Sequence, residues 1–223
     1  VPCTLSLPIT TADVFSGTVT SVAGNTLDIS GSIGSGSLSA ALEAGYEYYV
    51  EITDGTHEGQ RFEVTEAPCT ATTIELDPAH SRSTSPSVPP TLVGAPVVLR
   101  KHWRAKDALP IAAFRATSNS ATADRLMFYD PAISAYRTLW LFSNSGNPKW
   151  VLLGDSNLAD SGTRVINAVE GFYVYPRTFV TTVPLYGVVR RNDCACPLNA
   201  GANFVGAFWA LNQSPANRAM TVA

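Results

Sequence analysis

Four cysteines, three histidines and eighteen carboxylates bound the chemistry open to this 223-residue chain. The histidines His57, His80 and His102 are scattered, and Cys194-Ala-Cys196 lacks the two-residue gap of a zinc knuckle or a thioredoxin-type pair. No metal or cofactor site is expected from these spacings. His57-Glu58 falls in a predicted hairpin loop, where a solvated turn is the simpler reading than an acid–base pair. Asp155-Ser156-Asn157-Leu158-Ala159-Asp160 starts like a calcium loop, but it lacks the third acidic position, the central glycine and the closing glutamate. The sequence contains no Gly-x-Ser-x-Gly elbow, no Gly-x-x-x-x-Gly-Lys phosphate loop and no His-Glu-x-x-His. The glycine-rich stretch from Gly31 to Ser37 has no lysine after it and reads as a flexible loop.

Glu43, Glu47 and Glu51 are spaced for one helix face, but the residues around them alternate as a strand, which turns them toward solvent. Paired-carboxylate hydrolysis depends on separation in space, which spacing along the chain does not give. The four tryptophans Trp103, Trp140, Trp150 and Trp209, with eight tyrosines, could stack on sugar rings or fill a core.

The cysteines suit an oxidising compartment, and Val1 in place of Met predicts a mature chain whose export signal has been removed. Of the three possible pairings, Cys3 with Cys69 and Cys194 with Cys196 is the first choice. The second bond would close a tight loop, near the upper limit of bridging distance. The alternative is buried thiols.

The elements that must position these residues are mostly strands. Tyr46, Tyr48, Val50 and Ile52 share one face of a run that turns at Asp54-Gly55 and returns through Gln60–Thr65. Thr72–Asp77 is a third strand. Val14–Ser21 and Thr26–Ile29 flank Ala23-Gly24-Asn25 as another hairpin. Ser37–Ala44 is a short helix candidate, and Ser214-Pro215 opens a second. After a Ser/Pro-rich loop at 80–90, strands are predicted over Thr91–Leu99, Asp124–Tyr129, Ala135–Phe142, Trp150–Leu153, Gly171–Tyr175 and Thr181–Arg190. The fold class is therefore mostly β, an antiparallel barrel or sandwich with little helix, possible as two small β domains at 13–100 and 101–223 behind an N-terminal extension, 1–12.

That extension has the cleanest alternation in the chain. Val1, Cys3, Leu5, Leu7 and Ile9 fall on one face of an extended strand, and Pro2, Thr4, Ser6, Pro8 and Thr10 on the other. Pro2 and Pro8 lack N–H donors, so the strand belongs at a sheet edge. It can complete its own sheet or a neighbour's; the second is β-strand addition. Burying four aliphatic side chains at ~1.5–3 kcal/mol each is worth on the order of 6–12 kcal/mol before ordering costs.

Charged residues make up 15% of the chain, below the usual level of about 25%, and only three are lysines. With 45% apolar residues, this excludes a disordered chain, a coiled coil and a basic nucleic-acid binder. No apolar run approaches the ~18 residues of a membrane span. Residues 1–100 carry three basic and 11 acidic side chains, net −8, and residues 101–223 carry 12 and 7, net +5. The halves either pack on each other within one subunit or aid head-to-tail stacking.

Several stretches in order, Tyr49–Gly55 with Gly59–Thr65, Thr72–Asp77, Ala123–Pro131, Glu170–Val174, Asn203–Gly206 and Asn212–Pro215, resemble an uncharacterised family of secreted bacterial proteins. The resemblance spans residues 46 to 220. It implies export and β-rich structure, and no catalytic residue.

These readings together lead to an expectation. The chain would be a secreted, self-assembling structural subunit of a filament or surface array, not an enzyme. It would be joined to further copies of itself by its N-terminal strand and would have no nucleic-acid partner. One alternative is a cell-surface module that binds polysaccharide through exposed Trp and Tyr. Another is a secreted hydrolase without a recognisable motif.

Overall fold

The computed structural model describes residues 3–7, 9–31, 33, 42–43, 45–65, 69–77, 87–130, 132–167, 170–177, 186–189, 192 and 194; for 3, 4 and 6 it describes the backbone alone. The fold is mostly β, with a closed six-stranded antiparallel barrel and a separate five-stranded sheet. Among the described residues no helix is long and apolar enough to cross a membrane.

The chain begins with β1 (Cys3–Ser6) and β2 (Ile9–Thr10). The barrel follows: β3 (Asp13–Ala23), β4 (Thr26–Ile29), β5 (Tyr48–Ile52), β6 (Arg61–Thr65), β7 (Thr73–Asp77) and β8 (Pro96–Lys101), in the order β3-β4-β7-β6-β5-β8. β8 pairs with β3 and closes the ring. Gly24 makes the β3–β4 turn at a φ of +62°, where a side chain would be strained. Period-two alternation sends Leu27, Ile29, Tyr48, Val50, Ile52, Phe62, Ile74, Leu76, Val97 and Leu99 into one buried cluster. The strand predicted from Thr91 starts later. Pro90–Leu92 forms a 3-10 turn, and Gly94, at φ +88°, redirects the chain into Pro96.

Beyond the barrel come β9 (Trp103–Arg104), a one-turn helix α1 (Ala105–Ala108), β10 (Arg125–Asp130), β11 (Ala135–Phe142), β12 (Lys149–Leu152), β13 (Val165–Ile166), β14 (Gly171–Tyr175) and β15 (Val188–Val189). The second sheet runs β1-β14-β10-β11-β12, antiparallel throughout. Its inner face buries Leu126, Phe128, Leu139, Leu141, Trp150 and Phe172 against Ala105, Ala108 and Leu109 from the helix region. Phe114 meets Trp150 edge-on at 5.5 Å, and Phe128 stacks on Phe172 at 5.1 Å. Trp150 is wholly buried, so truncating it to alanine would cost about 3–5 kcal/mol.

The N-terminal strand takes an edge of this sheet in its own chain. Cys3, Thr4, Leu5 and Ser6 pair with Val174, Tyr173, Phe172 and Gly171. Leu7 is buried and Leu5 packs against the same inner cluster, as the alternation demands. β2 then pairs with β15, matching Ile9 with Val189 and Thr10 with Val188. The Trp103 indole N–H donates to Ile9 O at 3.1 Å and ties this crossing segment to the start of the second unit.

Asp124 holds three separate pieces of the sheet unit together. Its buried carboxylate accepts the backbone N–H of Arg115 at 2.7 Å and of Arg177 at 2.5 Å, and its carbonyl accepts that of Leu141 at 3.0 Å. The helix candidate after Ser214, and most of the helix candidate Ser37–Ala44 and of the predicted strand Thr181–Arg190, lie outside the described residues.

Candidate functional site

The outer face of the five-stranded sheet is divided in two. One half is roofed. Trp140 of β11 and Val151 of β12 are buried beneath Ala123 and Leu158 from the flanking loops. Arg125 folds back to Ser120 O, with Nε at 3.1 Å and an NH2 at 2.8 Å.

The other half is open and lined by tyrosines. Tyr129 and Tyr136 are register partners on β10 and β11. Met127 is paired with Thr138 on one side and with Tyr173 on the other. Antiparallel pairing puts register partners on the same face, so these residues form two adjacent rows. Tyr136 lies edge-to-face with Tyr129 at 5.4 Å and with Tyr173 at 5.7 Å. At 43% exposure, Tyr136 is the most open ring of the three. Partial burial raises its hydroxyl pKa above the ordinary tyrosine value, and the charge and hydrogen bond of Tyr173 add to the rise. Beside this trio the Arg177 guanidinium sits over the Tyr175 ring, 4.5 Å from its centroid. Each ring offers a broad apolar surface with a polar tip, and only two side-chain torsions must be fixed on contact.

A second polar constellation lies on the outer wall of the barrel. Glu51 is not on a solvent face as the alternation suggested; it is fully buried. The outward sides of β5, β6 and β8 carry Tyr49, Glu51, Arg61, Glu63 and Arg100 close together, and residues 192 and 194 lie against them. Arg100 forms an ion pair with Glu51 and another with Asp13 at 2.7 Å. Asn192 donates to Glu51 at 3.3 Å, and Arg61 donates to Cys194 Sγ at 3.4 Å. His102 Nε2 lies 2.7 Å from a Glu63 oxygen, and its ring packs on Tyr49 at 4.6 Å. The wall is an interlocked set of charged and hydrogen-bonding groups, which fixes how the last described residues lie on the barrel.

The remaining sequence candidates scatter. Val1, Cys196 and the Cys3 side chain lie outside the described residues, and with them one half of each expected disulfide pair. Cys69 is buried, its Sγ accepting the Glu75 N–H at 2.9 Å and lying 2.7 Å from Thr65 O. His57, in the β5–β6 turn, has its Nε2 2.7 Å from Oγ1 of Thr91 in the 3-10 turn before β8. Asp155 uses its carboxylate on the backbone N–H groups of Asn157 and Ala159, both at 2.9 Å, as a loop cap. Among the described residues no three His, Cys, Asp or Glu side chains gather as a metal site. Trp140 and Trp150 are buried, Trp103 is half-buried and Trp209 lies outside the described residues, so among the described residues the open aromatic surface belongs to tyrosines. The signal for it was present in Tyr129, Tyr136 and Tyr173, but their meeting depends on the strand order β14-β10-β11.

No family model, no curated protein and no solved structure matches the chain.

Proposed function

We propose that this chain is an extracellular surface module that binds polysaccharide on the tyrosine-lined half of its outer sheet face. The observation that carries the reading is the open trio Tyr129, Tyr136 and Tyr173, next to a half of the same face that is closed by loops. A pyranose ring has an apolar C–H face and a rim of hydroxyls. Tyrosine rings set at angles to one another offer both matching surfaces, with the Thr138 hydroxyl in the neighbouring row. Low charge and the cysteine content support an extracellular setting. The test is retention by insoluble and soluble polysaccharides, comparing the native chain with Tyr136→Ala and Tyr173→Ala. Loss of retention in both variants, with thermal unfolding unchanged, is the expected outcome. Equal retention by all three chains, or none by the native chain across a broad glycan panel, removes the reading.

A further inference from the structure

The polysaccharide reading leaves the N-terminal strand unexplained. We propose that β1 is exchanged between copies, so that Cys3–Ser6 of one chain pairs with Gly171–Val174 of the next and links copies head to tail. The sheet that receives β1 is otherwise built from one continuous stretch, Arg125 to Tyr175. β14 therefore presents a ready-made edge whichever copy supplies the strand. Every pair and every apolar contact made by β1 within the chain is available unchanged between chains, which is the condition for low-cost swapping.

The connection that exchange must use is short. Only Leu7 and Pro8 separate β1 from β2. Residues 3 to 10 in one extended line span roughly 26 Å, enough to cross to a neighbouring molecule. Charge points to a second copy as the partner. β1 is attached to the acidic part of the chain, residues 1–100 at net −8, and would enter the sheet of the basic part, residues 101–223 at net +5. Exchange brings the acidic barrel of one copy against the basic sheet unit of the next, a complementary and heterologous contact that propagates into open chains.

The test uses full-length Thr4→Cys and Tyr173→Cys chains, positions that are register partners. The two variants are refolded together at rising concentration, oxidised and analysed by peptide mapping. Exchange predicts covalent dimers joined between positions 4 and 173, growing with concentration and absent when either variant is refolded alone. The doubly substituted chain should give a ladder. Linkage formed solely within single chains, at every concentration, overturns the proposal. Sedimentation of the native chain gives a second readout that needs no substitution. Concentration-dependent oligomers should be lost when Gly-Ser-Gly is inserted between Leu7 and Pro8, because short connections invite exchange and a longer one shifts the balance toward the pairing within the chain. A native chain that stays monomeric throughout also overturns it.

Discussion

Glu51 of β5 and Arg100 of β8 form an ion pair on the outside of the barrel, yet Glu51 has no exposed surface and Arg100 only 6%. A buried pair adds little over apolar residues of the same size, but breaking it leaves a charge stranded. Glu51→Gln is expected to lower stability by about 3–5 kcal/mol, and Glu51→Leu combined with Arg100→Met should recover most of that loss. Chemical denaturation of Glu51→Leu, Arg100→Met and the double variant measures the coupling. Simple additivity of the single effects contradicts the assignment.

Gly17 of β3 serves its neighbour rather than the turn chemistry usual for glycine. A Cβ there would lie 2.4 Å from Phe15 Cζ and 2.8 Å from Ser30 O. The Phe15 ring lies along its own strand over the space that the glycine leaves, and it packs against the barrel core. Gly17→Ala should destabilise by about 1–3 kcal/mol, as overpacking does. Adding Phe15→Ala should return only part of this, because the Ser30 oxygen is backbone and cannot rotate away. Thermal unfolding of both variants decides; full rescue by the second substitution contradicts the role of Ser30.

At the tip of the β10–β11 hairpin, Asp130 accepts a guanidinium hydrogen bond from Arg137 at 2.5 Å and the Ala132 backbone N–H at 3.0 Å. The Arg137 hydrogen bond, followed by that of Ala132, holds its carboxyl below the usual aspartate value. Because the folded pKa is depressed, the contribution is complete above the unfolded value of about 4 and is lost as pH falls through the lower folded value. In Arg137→Ala the Asp130 titration should move upward, and the acid-side loss of stability should flatten. Carboxyl NMR across pH 2–6, a window set on the order of the usual aspartate value, reads the first directly. An unmoved titration rules out Arg137 as the main cause.

The parts legible in the sequence are those governed by neighbours along the chain. Ala135–Phe142 and Gly171–Tyr175 are read to the residue, because they are short runs rich in aromatic and β-branched residues and turn or proline residues lie next to them. Thr91–Leu99 is read too early, since β-branched residues in Thr91-Leu92-Val93 suggest strand while Pro90 and Gly94 impose a turn. Glu51 is misplaced for a different reason. Alternation tells which side of β5 it occupies, but not that Arg100 and Asn192, 49 and 141 residues away, lie against that side. The tyrosine face has the same origin: each strand is visible, but β10 lies between β11 and β14 only because pairing skips β12 and β13.

The rise in the Tyr136 pKa gives the glycan face a pH signature. Partial burial comes first among the causes, then the Tyr173 charge and hydrogen bond, then the Tyr129 charge. The fold thus prefers the neutral phenol. That preference is fully present below the ordinary tyrosine value of about 10 and is lost as pH rises through the higher folded value. A spectrophotometric tyrosinate titration should show a step above the ordinary tyrosine value that Tyr136→Phe removes. Tyr173→Phe should move it downward but not to the ordinary value, because the burial remains. If these rings seat a sugar, polysaccharide retention should fall over the same alkaline range, since a phenolate crowded by two other phenols must draw water back onto the face. Retention that persists after Tyr136 has ionised, with the barrel still folded, separates sugar binding from this surface.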